Sequence, residues 1–244
     1  MRDWTTTTTA QNWSDDAWEF NPWRGVYLEL TARLISRFCP SGGRVLDVGI
    51  GTGDVETLLL AMRSDICVTG IDESEAMMTV AQQRLRSYGE RLQLNAGHAT
   101  DLSPFHAQFD MVIASQVLHH IPLSQQAAVC QQLYNVLSPD GLTLVTERVR
   151  VPSRSMSEIY GALWDWQWDN QARRPSRGHS EYLERLRHPP DGVISGSQHM
   201  EHLRRAGFDA TCVHRVADRA LFIGVKGAPL RLMEPMGDTT HAIH

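Results

Sequence analysis

Between Arg44 and Glu56 the chain reads RVLDVGIGTGDVE, a short apolar run that opens into glycines spaced two apart. The pattern is Asp47-x-Gly49-x-Gly51-x-Gly53, and a second acid, Asp72, closes the run CVTGID 19 residues beyond Gly53. A glycine turn between a strand and a helix lets a ligand lie against main chain, and more than one ligand class uses such a turn. A dinucleotide fingerprint would read G-x-G-x-x-G, but position 54 is Asp, which a pyrophosphate would repel. A P-loop is excluded too, because no Gly-Lys-Ser/Thr follows. The spacing suits a ligand whose own main chain approaches the loop without a phosphate. Asp72, at the end of a second strand, is placed to accept both hydrogen bonds of a ribose diol.

Three further groups have types that do chemistry. His119-His120 follows the apolar run FDMVIAS. One of the pair can serve as a general base, or LHHI can be framework, with His120 structural. A metal site is disfavoured, since adjacent side chains diverge and no third ligand is suggested. Tyr160, Trp164 and Trp168 recur at i, i+4 and i+8 and form one helix edge. Such a stripe is either core or the wall of a ligand pocket, where a cation gains about 0.5–2 kcal/mol per ring. Arg148, Arg150, Arg173, Arg174 and Arg177 flank that segment. They suit a carboxylate ligand held bidentately, or a solvated surface with Glu147 and Asp169 as neighbours.

These residues need a scaffold, and periodicity supplies one. Strand patterns occur at Val45–Val48, Ile66–Ile71, Leu92–Asn95, Met111–Ser115 and Leu142–Glu147. Helix patterns lie before and between them: Tyr27, Leu30, Leu34 and Phe38; Val55, Leu58, Leu59 and Met62; Met77, Ala81 and Leu85; Val129, Leu133, Val136 and Leu137. Ser138-Pro139-Asp140-Gly141 is a turn signal. Strands alternating with helices predict right-handed crossovers and a parallel sheet covered on both faces. Such a sheet binds ligands beyond the carboxyl ends of its strands, where Gly49–Gly53 falls. Helices are expected near Met156–Trp168, Ser180–Arg187 and Ser197–Ala206, then strands Thr211–Val216 and Ala220–Val225 as an antiparallel hairpin. One domain is expected: a helical cap over 1–40, a ligand-binding core over 41–150, a helical insert over 151–195, the last helix and hairpin over 196–226, and a tail over 227–244. Trp13, Trp18 and Trp23 fall in the cap, which with Tyr27 is placed to close one side of the pocket.

Bulk properties narrow the class. The chain has 244 residues, 42% hydrophobic, enough for one ample core. A net charge of −5 argues against non-specific nucleic-acid binding, which neutralises phosphates. Lys226 is the only lysine, and the arginines are scattered. Cys39, Cys67, Cys130 and Cys212 form no C-x-x-C pair, and Cys67 and Cys130 sit in apolar patterns as core thiols. No run of about 18 apolar residues could span a membrane, and MRDWTTTTTAQNW has no secretory h-region. A cytoplasmic protein without nucleic-acid or membrane partners is expected.

Five segments, in order, resemble the class I S-adenosylmethionine-dependent methyltransferase family across about residues 20–226. They are VLDVGIGTGDVE, GIDESEAMM, GHATDLSPF, FDMVIASQVLHHI and LYNVLSPDGLTLVTE. The resemblance implies an α/β, Rossmann-like fold: a mostly parallel seven-stranded sheet with a reversed C-terminal strand and helices on both faces. It implies S-adenosyl-L-methionine as cofactor. Gly49 and Gly51 would bring backbone against the methionyl part, and Gly53 would keep the turn tight. Asp47 would orient the methionyl amino group, and Asp72 would hold the ribose. Met77 would pack near the adenine, His98 and Ala99 would lie at its edge, and Ser115 would lie by the methionyl end. Many relatives carry Asp where this chain has His98, and an imidazole cannot copy a carboxylate there. His120, Tyr160 and Trp164 are the candidate catalytic and acceptor-side residues.

The reading this favours is methyl transfer to a small molecule. A second keeps the cofactor but makes it the substrate, because the stretch HSEYLERLRHPPDGVISGSQHMEHLRRAGF is distantly similar to carboxy-S-adenosylmethionine synthase. That family's Gly-Tyr is Gly178-His179 here. Intramolecular attack releasing methylthioadenosine is a related outcome. A third reading, a non-catalytic binding protein, predicts decay of the glycine loop or ribose acid, and both are intact. Dimerisation through the N-terminal helix or the aromatic insert is compatible with the pattern.

Overall fold

In a computed structural model, residues 6, 8–12, 17, 21–105, 108–169 and 178–227 are described. Alternating apolar runs become seven strands: β1 (Arg44–Val48), β2 (Cys67–Asp72), β3 (Leu92–Ala96), β4 (Phe109–Ser115), β5 (Leu137–Arg148), β6 (Asp209–Val216) and β7 (Arg219–Val225). They form one sheet in the order β3-β2-β1-β4-β5-β7-β6. Pairing is parallel from β3 through β5, and β7 runs antiparallel to both β5 and β6. The order reverses direction between β1 and β4, which leaves a crevice beyond their carboxyl ends.

Period-two alternation sends Val45, Met111 and Leu144 to one face and Leu46, Val48, Val112 and Val145 to the other. The first face is covered by α1 (Arg24–Phe38), α2 (Asp54–Met62), α5 (Arg154–Asp169) and α6 (His179–Arg187). The second is covered by α4 (Leu123–Val136) and α7 (Gly196–Arg205). A further helix, α3 (Glu75–Leu85), follows β2 and starts at Ser74, whose side chain accepts from the Met77 N–H. Gly196 is preceded by a full capping box, Ser195 with Gln198.

Several expectations are corrected in detail. The buried stripe of α1 is Tyr27, Thr31, Ala32 and Ile35, while Leu30, Leu34 and Phe38 only flank the core. In α2 the buried face takes in Glu56 and leaves Met62 40% exposed. The turn at Ser138–Gly141 lies inside the start of β5. Leu137 pairs with Phe109, the register then shifts, and Asp140 adopts φ +64°. Cys67, at the first position of β2, faces solvent; Cys39 and Cys130 are the buried thiols, and all four are free. No helix among the described residues is long and apolar enough to cross a membrane.

Candidate functional site

The loop after β1 is held open by its own hydrogen bonds. Gly49 and Ile50 N–H donate to Ile71 O at 2.8 and 3.0 Å, anchoring the turn to β2. Gly51 N–H donates to Asp72 Oδ2 at 2.9 Å, and Ser74 N–H donates to Asp72 Oδ1 at 2.8 Å. Asp72 therefore braces the loop from the end of β2, and each of its oxygens keeps a further lone pair for a ligand. Burial raises its pKa despite these two N–H donors. Gly51 has φ +56°, and a Cβ there would project into open space. Only a glycine makes that conformation cheap, and the space beside it is what a ligand's main chain needs. Gly49 differs: a Cβ would lie 2.4 Å from Val117 Cγ2, so it faces the loop after β4. Gly53, at φ +74°, lies so close to Leu85 and Ala81 of α3 that a Cβ there would sit 2.6 Å from Leu85 Cδ1.

Four acids surround this turn, and they are compensated unequally. Asp54, whose charge seemed to exclude a pyrophosphate, is bound by Arg24 and by Arg84 Nη1 at 2.8 Å, with Thr52 Oγ1 at 3.0 Å. Burial raises its pKa, but the arginines outweigh burial and lower it. Asp54 is thus a structural anchor joining α1, α2 and α3. Asp47 and Glu56 have no such help. Both are buried, and their carboxyls stand against each other. Asp47 Oδ1 and both Glu56 oxygens have no well-formed hydrogen bond to any other residue among those described, leaving the two carboxyls to share what proton they hold. Burial first, then mutual repulsion, raises Asp47 well above the ordinary carboxylate range, and burial pushes Glu56 up to about 7. Glu56 escaped the sequence reading because the apolar spacing of α2 placed it outside the core face.

Met77 is buried in a small cluster with Ala10, Ala76 and Val80. His98 is 48% exposed on its side chain. Its Nδ1 accepts from Thr100 N–H at 3.2 Å and pairs with Thr100 Oγ1 at 2.6 Å, so the other proton sits on Nε2, 3.4 Å from Glu73 Oε2. Ala99 packs against the second core cluster. Gly97 N–H donates to Asp72 O at 3.0 Å, so His98 and Ala99 follow directly on a β3 end tied to Asp72.

On the other side of the crevice, Ser115 Oγ pairs with Thr146 Oγ1 at 2.7 Å, and Gln116 N–H donates to Thr146 O at 2.7 Å. Gln116 has φ +61°, a left-handed conformation that strains a non-glycine residue by about 1–3 kcal/mol. Its presence at the end of β4 had no signal in the sequence. A short turn, Leu118–His120, comes next. His119 Nδ1 meets Glu147 Oε2 at 2.7 Å, and its side chain is 8% exposed. Glu147 also accepts Leu118 N–H at 2.6 Å and Arg148 N–H at 3.0 Å. Burial raises its pKa, but His119 outweighs burial and brings it to about 2. The carboxylate fixes the imidazole with its proton on Nδ1, leaving Nε2 as the basic atom. His120 has no such orienting partner and is exposed, its ring 4.1 Å from that of His119. The histidine oriented by a carboxylate is therefore His119, where the sequence points to His120.

A glutamine holds this turn in place. Gln126 Nε2 donates to Leu118 O, Ile121 O and Gly192 O at 2.9, 3.2 and 2.8 Å. Gly192 is pressed so close that a Cβ would lie 2.3 Å from His119 O.

The aromatic stripe belongs to the core. Tyr160, Trp164 and Trp168 are 9%, 5% and 2% exposed. Trp164 stacks on Tyr182 at 5.4 Å and meets Trp168 edge-on at 5.8 Å. Tyr160 Oη accepts from Arg215 Nη2 at 3.3 Å. The expected acceptor wall is thus a wall of the hydrophobic interior. Tyr27 is likewise occupied: its hydroxyl donates to Arg219 O at 2.9 Å and accepts Val216 N–H at 3.1 Å. Trp23 is buried in the same cluster. Trp13, Trp18, Arg173, Arg174 and Arg177 lie outside the described residues. Among the described residues no three His, Cys, Asp or Glu side chains gather as a metal set.

Comparison with known proteins agrees with this geometry. Residues 45–141 match the family described as a methyltransferase domain. The chain is 30% identical over 143 residues to a carboxy-S-adenosyl-L-methionine synthase of Campylobacter concisus, which covers 57% of this chain and 60% of that one. It therefore spans about three fifths of that relative's length. It is 29% identical over 191 residues to a 27-O-demethylrifamycin SV methyltransferase of Amycolatopsis mediterranei, covering 74% and 61%. An O-methyltransferase family protein from Burkholderia thailandensis superposes with a TM-score of 0.62 at 15% identity, over 91% of this chain and 60% of that one. Glycine loop, strand-end acid and reversed last strand agree with the methyltransferase domain that residues 45–141 match, and the fold is that of the class I methyltransferases.

Proposed function

We propose that this protein binds S-adenosyl-L-methionine beside the Gly49–Gly53 loop and transfers its methyl group to a small molecule, in the cytoplasm. The observation that carries the reading is the uncompensated acid at the loop. Asp47 has a buried oxygen without a hydrogen-bond partner among the described residues, and Asp72 has lone pairs to give, beside an open Gly51. A ligand with an ammonium group and a ribose diol fits that donor-poor floor. Asp47 would take the ammonium and Asp72 the ribose, with Met77, His98 and Ala99 on the adenine side and Ser115 by the methionyl end.

The cofactor supplies a methyl group on a sulfonium, electrophilic without further activation. The chain's contribution is position. Aligning donor and acceptor and removing water supply about 7–11 kcal/mol of such a barrier. Where the acceptor arrives protonated, His119 Nε2 takes that proton while Glu147 stabilises the resulting imidazolium. This is the work of an oriented base.

The second reading, in which the cofactor is itself the substrate, is favoured by the likeness to the Campylobacter carboxy-S-adenosyl-L-methionine synthase. Against it, His179 stands at the position of that family's Tyr and is paired with Asp165 at 2.6 Å. Mass spectrometry of the protein incubated with S-adenosylmethionine alone separates the two. Methyl transfer to an outside acceptor predicts intact cofactor; methylthioadenosine or a carboxylated product would overturn it.

A further inference from the structure

The guanidinium of Arg148 is used by nothing above. Its side chain is 12% exposed, and its buried Nε has no hydrogen-bond partner among the described residues. Asp218 Oδ2 stands 3.9 Å from that Nε, too far to accept from it. The Asp218 carboxylate is already engaged, by Arg219 Nη1 at 2.9 Å and Tyr182 Oη at 3.1 Å. Glu147, the preceding residue, is engaged by His119 and two backbone N–H groups. Arg219, 4% exposed, also has a buried Nε without a hydrogen-bond partner among the described residues. Buried charges are normally paired, so two guanidiniums with unmet donors around one occupied carboxylate form an unfinished arrangement. Burial, and then the charge of Arg219, lowers the pKa of Arg148 to about 10.

The arrangement opens on space of suitable size. Arg148, Arg150, Arg185 and Asp218 line a cavity of about 10 Å³, room for about one water molecule or one oxygen of a ligand. Val151 and Leu186 are shared between this cavity and a cleft of about 350 Å³, whose rim carries Arg154, Arg187 and His188. That volume lies in the range of small-molecule sites. On a chain of net charge −5 the concentration of arginine is local and not a general basicity.

We infer that these two spaces form one binding site for a small organic acid, its carboxylate seated on Arg148 and its body in the adjoining cleft. A carboxylate supplies planar acceptors that match the guanidinium fork, and the narrow inner cavity favours it over a tetrahedral phosphate. The site needs only the arginines and the cavity, so it stands whichever reaction the glycine loop serves.

The test is calorimetric titration of the full chain with benzoate, succinate and inorganic phosphate, beside a separate titration with S-adenosylhomocysteine. One carboxylate should bind per chain and raise the thermal midpoint. Arg148→Met should weaken it about tenfold or more, and Arg148→Lys, which keeps charge but loses the fork, should also weaken it. Arg148→Met without ligand should melt at or above the native midpoint, because a guanidinium with unmet donors has been removed. A structural arginine would give a lower midpoint instead, and that result overturns the inference. So does failure of both carboxylates to bind, binding of phosphate alone, or carboxylate affinity unchanged in Arg148→Lys if Arg148→Met does not fold. Loss of S-adenosylhomocysteine binding with carboxylate binding intact faults the cofactor reading and supports this one.

Discussion

Replacing Glu56 with Gln should stabilise the protein at neutral pH, an unusual direction for a change in a buried residue. Glu56 is fully enclosed against Asp47, and its oxygens make no well-formed hydrogen bond to another residue among those described. Its pKa rises from the ordinary 4.5 to about 7 on folding. The folded state therefore holds a proton that the unfolded chain releases. This contribution is fully present below about pH 4.5 and is lost as pH rises through about 7. Across that window linkage assigns the pair about 3 kcal/mol, an upper bound because the proton is shared with Asp47. A glutamine cannot ionise, and its amide can donate to the vacant Asp47 Oδ1. At about 2–4 °C per kcal/mol for a domain of this size, Glu56→Gln should melt about 6–12 °C above the native protein at pH 8. Near pH 4.5 the two should melt together. Thermal scans at both pH values check this. A native-minus-variant difference that is the same at both, or a variant less stable at pH 8, refutes the claim that the two carboxyls are uncompensated.

Other changes separate the site from its support. Asp72→Ala should keep the fold and raise the calorimetric Kd for S-adenosylhomocysteine about 10- to 100-fold, since hydrogen bonds to a charged group contribute about 1.5–3 kcal/mol; an unchanged Kd would remove the ribose assignment. His119→Ala should lower kcat about 10²- to 10⁴-fold for a protonated acceptor, scored by S-adenosylhomocysteine release, with cofactor affinity retained. His120→Ala should change kcat only a few-fold, and the opposite ranking would make His120 the base. Trp164→Ala should destabilise by about 3–5 kcal/mol in urea unfolding and leave S-adenosylhomocysteine affinity unchanged. Normal stability with a raised acceptor KM would put Trp164 back in the pocket wall.

The architecture was legible because long apolar patterns and glycine punctuation act locally. The helices overlap their patterns, and six of the seven strands lie within two residues of where periodicity places them, while β5 starts five residues early and takes in the Ser138–Gly141 turn. Faces were read less well. Leu30, Leu34 and Phe38 satisfy helical spacing as well as Tyr27, Thr31 and Ile35 do, and only the tilt of α1 on the sheet decides which row is buried. The same ambiguity hid Glu56. The aromatic stripe shows a different limit: spacing says that Tyr160, Trp164 and Trp168 share an edge, not what lies opposite. The choice of His119 over His120 required Glu147, 28 residues away in sequence and brought near by the pairing of β4 with β5. No local pattern contains that contact.

The carboxylate of Asp54, which in the sequence sets this loop apart from a dinucleotide site, is neutralised in the structure. Asp54 seemed decisive because a pyrophosphate would meet its carboxylate, yet two arginines compensate it. The discrimination passes to Asp47 and Glu56, whose buried oxygens lack hydrogen-bond partners among the described residues, and to Asp72, which backbone N–H groups satisfy. A phosphate entering this turn would meet acceptors where it needs donors, while an ammonium would complete the floor. This also accounts for the survival of a buried acid pair that lowers stability at neutral pH. In the unliganded protein the pair retains a proton, and a bound ammonium would displace it. Cofactor affinity should then rise with pH through about 7, and the slope should flatten in Glu56→Gln. Calorimetric titration of S-adenosylhomocysteine at pH 6 and pH 8 measures both slopes. Equal slopes in the native protein and the variant would mean that the ammonium sits elsewhere.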